Sequence, residues 1–269
     1  MKGMNMKARG LLLLLACLAL MGGGMPRQNV FRLSGMVVDT EGRGIGGVVV
    51  NDGVGFALTG ADGRWALVTD TFRSKFVSIS TPAGFRLPQD SGLAAGFFVP
   101  VGRAVAGGGW RFVLERRPVA ADSFYYVAVS DPQVRNASDM ARWRGEAVAS
   151  LRRTVAALSR SREVVGVALG DLVFDDMGLF DDYAGSVAGM PMTMFQCIGN
   201  HDFDRRLPAL RHAPEGAPAY AEMAYHRRFG PTDYSFNIGR VHIVTMCNID
   251  YRGGGRCSLT ASCAGLSAT

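Results

Sequence analysis

Three apolar runs in the second half of the chain each stop at a short polar turn that carries an oxygen-bearing side chain. Phe124–Val129 ends at Ser130-Asp131-Pro132-Gln133, Val164–Leu169 at Gly170-Asp171, and Met192–Ile198 at Gly199-Asn200-His201-Asp202. Between the first two runs, Met140, Trp143, Ala147, Leu151, Val155 and Leu158 recur at three- and four-residue spacing, which is one face of a helix. Ser138 is placed to cap it, with Asp139 in its first turn. A shorter acid-rich stretch, Asp175–Tyr183, separates the second run from the third. The order predicts β-α-β-α-β, hence parallel strands joined by right-handed crossovers. In such sheets the carboxyl ends of the strands open into one crevice, where ligands bind. Asp131, Asp171 and Asn200 each fall at such an end, and three hard oxygen donors in one crevice are the makings of a metal site.

The chain has 269 residues, 48% of them apolar and 19% charged, enough for one large domain or two modest ones with a core, which excludes wholesale disorder. Its 35 glycines follow no G-x-y period, so collagen is excluded as well. The net charge of +6 owes much to Lys2, Lys7 and Arg9; without them 26 basic residues face 23 acidic ones, or +3. That surplus is too small and too dispersed for a nucleic-acid partner. A basic start at Met1–Gly10 followed by LLLLLACLALM at 11–21 is too short to span a bilayer alone and reads as a secretory signal over 1–24. Leu14-Leu15-Ala16-Cys17 is similar to a bacterial lipobox, which would put a lipid on Cys17; cleavage near Gly22–Gly24 is the alternative, and export follows from both. The protein is thus expected in the periplasm or outer cell envelope. Cys197 and Cys247 sit near the ends of apolar runs, as small buried side chains do, and no C-x-x-C spacing signals zinc or a redox pair. Cys257 and Cys263 lie in a Ser/Ala/Gly tail, where nothing requires them to pair.

From Val30 to about Arg117 short apolar runs alternate with Gly- and Asp-rich breaks. Strands are expected at 30–38, 47–50, 64–68, 75–80 and 110–115, with Asp62-Gly63 as a hairpin signal, and the pattern suggests a sandwich. Residues 82–109, rich in Gly, Ala and Pro, carry no clear element. SGMVVDTEGRGIGGVVVNDG and TGADGRWAL resemble the carboxypeptidase regulatory-like sandwiches that precede catalytic domains in exported bacterial proteins, which implies a spacer or docking module. The expected organisation is a signal at 1–24, an immunoglobulin- or prealbumin-like β-sandwich at 25–118, an α/β domain at 119–252 and an unpatterned tail at 253–269.

DPQ at 131–133, GDLVFDD at 170–176 and GNHD at 199–202 resemble the first three motifs of the calcineurin-like metallophosphoesterases, where D-x-H, GD and GNHD follow in this order. FGPTDYSFNIGRVHIVTMCNID at 229–250 is similar to the next two strands of the exported bacterial branch. The resemblance implies an α/β metallo-dependent phosphatase-type sandwich and two divalent ions, drawn from Mn, Zn, Fe and Mg, that generate a hydroxide near neutral pH and polarise a phosphoric ester. It implies Asp131 and Gln133 on the first ion, Asp171 bridging both, and Asn200 on the second. It gives His201 the departing oxygen and Asp202 the task of orienting that imidazole.

Each residue also has a plainer reading. A single Asp after a strand usually serves a turn, and only the three ordered motifs together make Asp131 and Asp171 site residues. Asp175, Asp176, Asp181 and Asp182 read as a solvated acidic loop outside the site. His212 and His226 read as surface, and His242 as a structural residue of an alternating strand. Two departures, Gln133 and the lack of a later G-H-x-H, bear on activity, and Phe174 bears on the branch. Gln133 stands where the family most often has His, and it offers a carbonyl oxygen that favours harder ions than zinc. Phe174 replaces the ligand Tyr of the purple acid phosphatases, which excludes that iron-tyrosinate branch. The last of four His is His242, and the family's later G-H-x-H is not present. After Tyr251 the sequence is expected to carry no strand or helix, as in a chain that stops early or shifts frame. The sheet begun at residue 124 would then lack its second half and leave an unpaired edge and an exposed apolar face. The expected function is metal-dependent hydrolysis of a phosphoester; the alternative is a catalytically inactive envelope protein that binds a partner through its sandwich.

Overall fold

The computed structural model describes residues 29–88, 92–118, 123–204, 220–252 and 256–259. The leader at 1–24 with Cys17, and also His212 and Cys263, lie outside the described residues. No helix among the described residues is long and apolar enough to cross a membrane.

Two four-stranded sheets build the first half. β1 (Val30–Asp39), β4 (Arg64–Asp70), β6 (Phe85–Arg86) and β8 (Trp110–Arg116) lie in the order β4-β1-β8-β6. β2 (Val49–Asn51), β3 (Phe56–Leu58), β5 (Phe76–Ile79) and β7 (Phe98–Pro100) lie in the order β3-β2-β5-β7. Period-two alternation decides which side chains meet: in β4, Trp65 and Leu67 point inward while Arg64, Ala66 and Val68 face out. Leu33, Val37, Phe112 and Leu114 join them from one sheet and Val50, Val77, Ile79 and Val99 from the other. Asp62-Gly63 is not a hairpin. Its turn takes the chain from β3 in one sheet to β4 in the other, and Gly63, at φ 78°, gives its carbonyl to the Val37 N–H at 2.8 Å. A Cβ at Gly63 would lie 2.3 Å from the Val37 oxygen, so the crossing needs glycine. The stretch 82–109 holds β6, β7 and a short helix α1 (Val101–Ala106).

The second half begins with β9 (Phe124–Val129), β10 (Glu163–Ala168) and β11 (Thr193–Gln196), parallel in the order β11-β10-β9. The first crossover is α2 (Ala137–Arg142), a π-helical stretch Trp143–Val148 and α3 (Ala149–Leu158); the second contains α4 (Phe180–Val187). Asn136, not Ser138, caps α2, its side-chain oxygen accepting the N–H groups of Ser138 and Asp139. Further on come α5 (Met223–Phe229) and an antiparallel hairpin of β12 (Tyr234–Ile238) and β13 (Val241–Thr245). The tail expected to be unpatterned supplies a strand: β15 (Arg256–Leu259) pairs with β14 (Ile249–Arg252).

The central strand β10 is buried on both faces. Val164 and Ala168 face the helices, with Met140, Val155, Tyr183 and Tyr225, while Val165 and Val167 belong to the sandwich core. The exposed apolar face expected from sequence is therefore covered. Phe236 of β12 stacks on Phe195 of β11 at 3.8 Å between centroids, and Phe97 and Tyr234 close around the same ring. The outer edge of β11 is also engaged, since Met194 exchanges backbone hydrogen bonds with Gly92 and Ala94 at 2.7 and 2.9 Å. β9 is less enclosed, and Tyr126 stands 46% exposed on it. Replacing Phe195 with Ala is expected to lower unfolding stability by about 3–5 kcal/mol, the usual cost of emptying a packed aromatic site. Denaturant unfolding followed by circular dichroism checks this, and a loss below about 1 kcal/mol would show that the ring does not hold the seam.

Candidate functional site

The loops that leave β9, β10 and β11 meet at one end of the sheet. After β9 and β10 the chain keeps pairing beyond the strands: the Gln133 N–H donates to the Asp171 carbonyl at 2.8 Å, and the Phe174 N–H to Val134 at 3.0 Å. Continuing this ladder past a sharp bend requires left-handed backbone. Asp131, Gln133, Asp171 and Asp175 have φ of 50°, 44°, 50° and 60°, and they are the non-glycine residues with positive φ among the described residues. Side chains rarely adopt this region, and residues held there gather at functional sites.

Two glycines let the loops touch. Gly170, at φ 99°, lies so close to Gly199 that a Cβ on it would sit 2.7 Å from the Gly199 Cα. A Cβ on Gly199 would lie 2.1 Å from the Asp171 nitrogen. The Asp171 carboxylate becomes the hub of this contact. Its Oδ1 accepts the His201 N–H at 2.9 Å and its Oδ2 accepts the Gln133 amide at 3.1 Å. The same amide lies 3.4 Å from Asp131 Oδ1, and the Ser130 hydroxyl donates to Asp131 Oδ2. Asn200 stands between Gly199 and His201, the two residues in direct contact with Asp171. The loops after β9 and β10 thus bring Asp131, Gln133 and Asp171 together, and the loop after β11 reaches them through the His201 N–H, with Asn200 next to it in the chain.

Asp202 has a different task from the one expected. Its carboxylate is fully buried and accepts the N–H of Val173 at 3.1 Å and of Gly199 at 2.9 Å, locking the second loop to the third. Burial raises its pKa to about 7, against the pull of those N–H donors. The imidazole of His201 is held instead by Asp175, whose Oδ1 lies 3.1 Å from Nδ1, and by Phe174, whose ring stacks on it at 3.9 Å. Asp175, expected in a solvated loop, is therefore part of the site. The acid-rich pattern concealed this because no spacing rule shows that left-handed backbone at Asp175 turns it toward residue 201. His226 is likewise not a surface residue: it packs edge-on against Phe76, with Nε2 3.2 Å from Glu222. His242 lies on β13, exposed, with Nδ1 2.8 Å from the Asn237 side-chain oxygen.

The donor set decides what kind of ion these residues suit. Among the described residues no three His, Cys, Asp or Glu side chains gather as a metal cage. What meets is the carboxylates of Asp131 and Asp171 with the side-chain amide of Gln133 between them. With its amide turned over, Gln133 would present Oε1 in place of the NH2 group that now faces Asp131 and Asp171. Such a set fits a hard divalent ion such as manganese or magnesium, whereas zinc prefers nitrogen and sulfur.

Residues 32–117 match the family model for the N-terminal domain of calcineurin-like phosphoesterases. The match covers the sandwich from β1 through β8 and ends ahead of β9. No curated protein matches. The sandwich, expected to be of the carboxypeptidase regulatory-like kind, is thus matched by the domain that precedes a phosphoesterase.

Asp202→Ala is expected to cost about 2–5 kcal/mol, because it orphans the buried Val173 N–H and the half-buried Gly199 N–H. Asp175→Ala should leave stability within about 1 kcal/mol. Parallel denaturation curves test the contrast, and equal losses would contradict the division of labour between the two carboxylates.

Proposed function

We propose that this chain is an exported, metal-dependent phosphoesterase whose centre lies at the tips of β9, β10 and β11. The carrying observation is that Asp131, Gln133 and Asp171 are all in left-handed backbone and that the Gln133 amide reaches both carboxylates. Strain of this kind persists only where the surrounding structure imposes it. The sandwich match to the phosphoesterase N-terminal domain supports the same reading from an independent part of the chain. The signal-like leader supports activity outside the cytoplasm.

In this proposal Asp131, Gln133, Asp171 and Asn200 are the residues that would hold two divalent ions. When bound, the ions supply Lewis-acid polarisation of the phosphoryl group and a water acidified toward neutral pH. The chain's own residues provide the rest. The backbone N–H of His201 keeps Asp171 Oδ1 in place. Asp175 takes up Nδ1 of His201, which leaves Nε2 to meet the ester oxygen. Phe174 stops the ring from swinging out of line. With Nδ1 engaged by a carboxylate, Nε2 can carry the proton that the departing alkoxide takes. The buried Asp202 holds the loops rigid and stays away from the substrate.

With manganese added, the full chain is expected to hydrolyse p-nitrophenyl phosphate or its bis ester, and a chelator to abolish the rate. Asp171→Asn and Asn200→Ala should reduce kcat/KM by about 100-fold or more. His201→Ala should lower kcat by about 10²–10⁴, with a smaller effect on KM. Equal rates in the wild type and all three variants would refute the proposal.

A further inference from the structure

A hollow of about 520 Å³ opens beside the candidate centre. Two of its walls are shared with that centre: Gln133, whose amide contacts Asp171, and Phe174, whose ring stacks on His201. The opposite wall is the first crossover helix, where Arg142, Trp143 and Ala147 line the space. This is where that helix departs from α geometry, over Trp143–Val148. A π-helical stretch inside a longer helix is uncommon and frequently marks a functional position.

The wall is held in place before any ligand arrives. The indole Nε1 of Trp143 donates to the Ser186 hydroxyl at 2.7 Å, and the ring stacks on Tyr183 at 5.9 Å, with 18° between the planes. Polar capacity surrounds the two aromatic residues. Arg135 pairs with Asp139 at 2.7 Å, and Arg142 with Glu146 at 3.6 Å, so both guanidinium donors and carboxylate acceptors border the space. A volume of this size suits a small organic group. Aromatic rings bordered by both donors and acceptors suit a flat ring that itself carries both, which is the chemistry of a nucleobase.

We propose that this hollow binds the heteroaromatic ring of a nucleoside phosphate, with the phosphoryl group directed past Gln133 to the candidate centre. The proposal rests on the phosphoesterase reading for the direction of the ligand, but binding of the ring requires no metal and no hydrolysis. Ala147 is exposed on the helix surface, so a larger side chain there obstructs the hollow without disturbing the core.

The full chain without added metal is titrated with adenosine, adenosine 5′-monophosphate and ribose 5-phosphate, read by calorimetry and by tryptophan fluorescence. Adenosine and its monophosphate are expected to bind with sub-millimolar affinity and quench the emission, and ribose 5-phosphate to bind at least tenfold more weakly. Trp143→Phe should keep the heat of binding and lose most of the quench, which assigns the signal to this wall. Ala147→Phe should weaken adenosine at least tenfold with an unchanged circular dichroism spectrum. Arg142→Ala, at a solvent-facing position, should weaken it about threefold and serves if Ala147→Phe does not fold. The inference is overturned if adenosine gives neither heat nor quench at millimolar concentration, if ribose 5-phosphate binds as tightly as the monophosphate, or if the folded variants bind adenosine like the wild type. Ring binding without hydrolysis would overturn the phosphoesterase reading alone, and hydrolysis of simple esters without ring binding would overturn this inference alone.

Discussion

With hydrogen in place of a side chain at Gly170 and Gly199, two loops approach more closely than any other pair of residues would permit. The rest of the site depends on that approach. It brings the His201 N–H to the Asp171 carboxylate and lets Asp202 reach the backbone of Val173 from the far side. The left-handed turn at Asp171 is then imposed rather than chosen, because its carboxylate and its carbonyl are both committed. Hydrogen bonds to a buried carboxylate offset the unfavourable backbone, and the polar atoms are left converging on one point.

Much of this was legible in sequence, and what escaped shares a physical character. The three parallel strands and their polar tips were readable because apolar runs that end in Asp or Asn are local patterns. The helical face from Met140 to Leu158 was readable for the same reason, although its π stretch was not, since a shift of hydrogen-bond register leaves the apolar spacing nearly intact. Strands as short as β6 and β7 carry too few residues for alternation to register. Asp62-Gly63 showed a turn without showing which sheet the chain would enter next. The exchange of tasks between Asp175 and Asp202 was hidden more deeply. Both are acids beside a motif, and only the direction of the backbone at each decides which meets the imidazole and which is buried.

The sandwich also has a structural role in the second half of the molecule. Its core continues into one face of the parallel sheet through Phe97, Phe195 and Phe236. Behind β11, the Gln196 carbonyl accepts the hydroxyls of both Tyr225 and Tyr234 at 2.8 Å, and its side chain accepts that of Tyr183 at 3.0 Å. Burial pushes all three phenols well above their ordinary pKa, so they remain neutral donors. The strand that delivers Asn200 and His201 is thereby anchored from the helices and from the hairpin together.

The pairing of Met194 with Gly92 and Ala94 has an evolutionary consequence. A lineage that exchanged its amino-terminal module for another would lose more than a neighbour, because three residues of that module act as a flanking strand for β11. Any successful replacement must reproduce a short extended segment at the same height along the sheet. Recombination at the linker between the halves is therefore constrained by backbone geometry, even where the side chains on either side are free to drift.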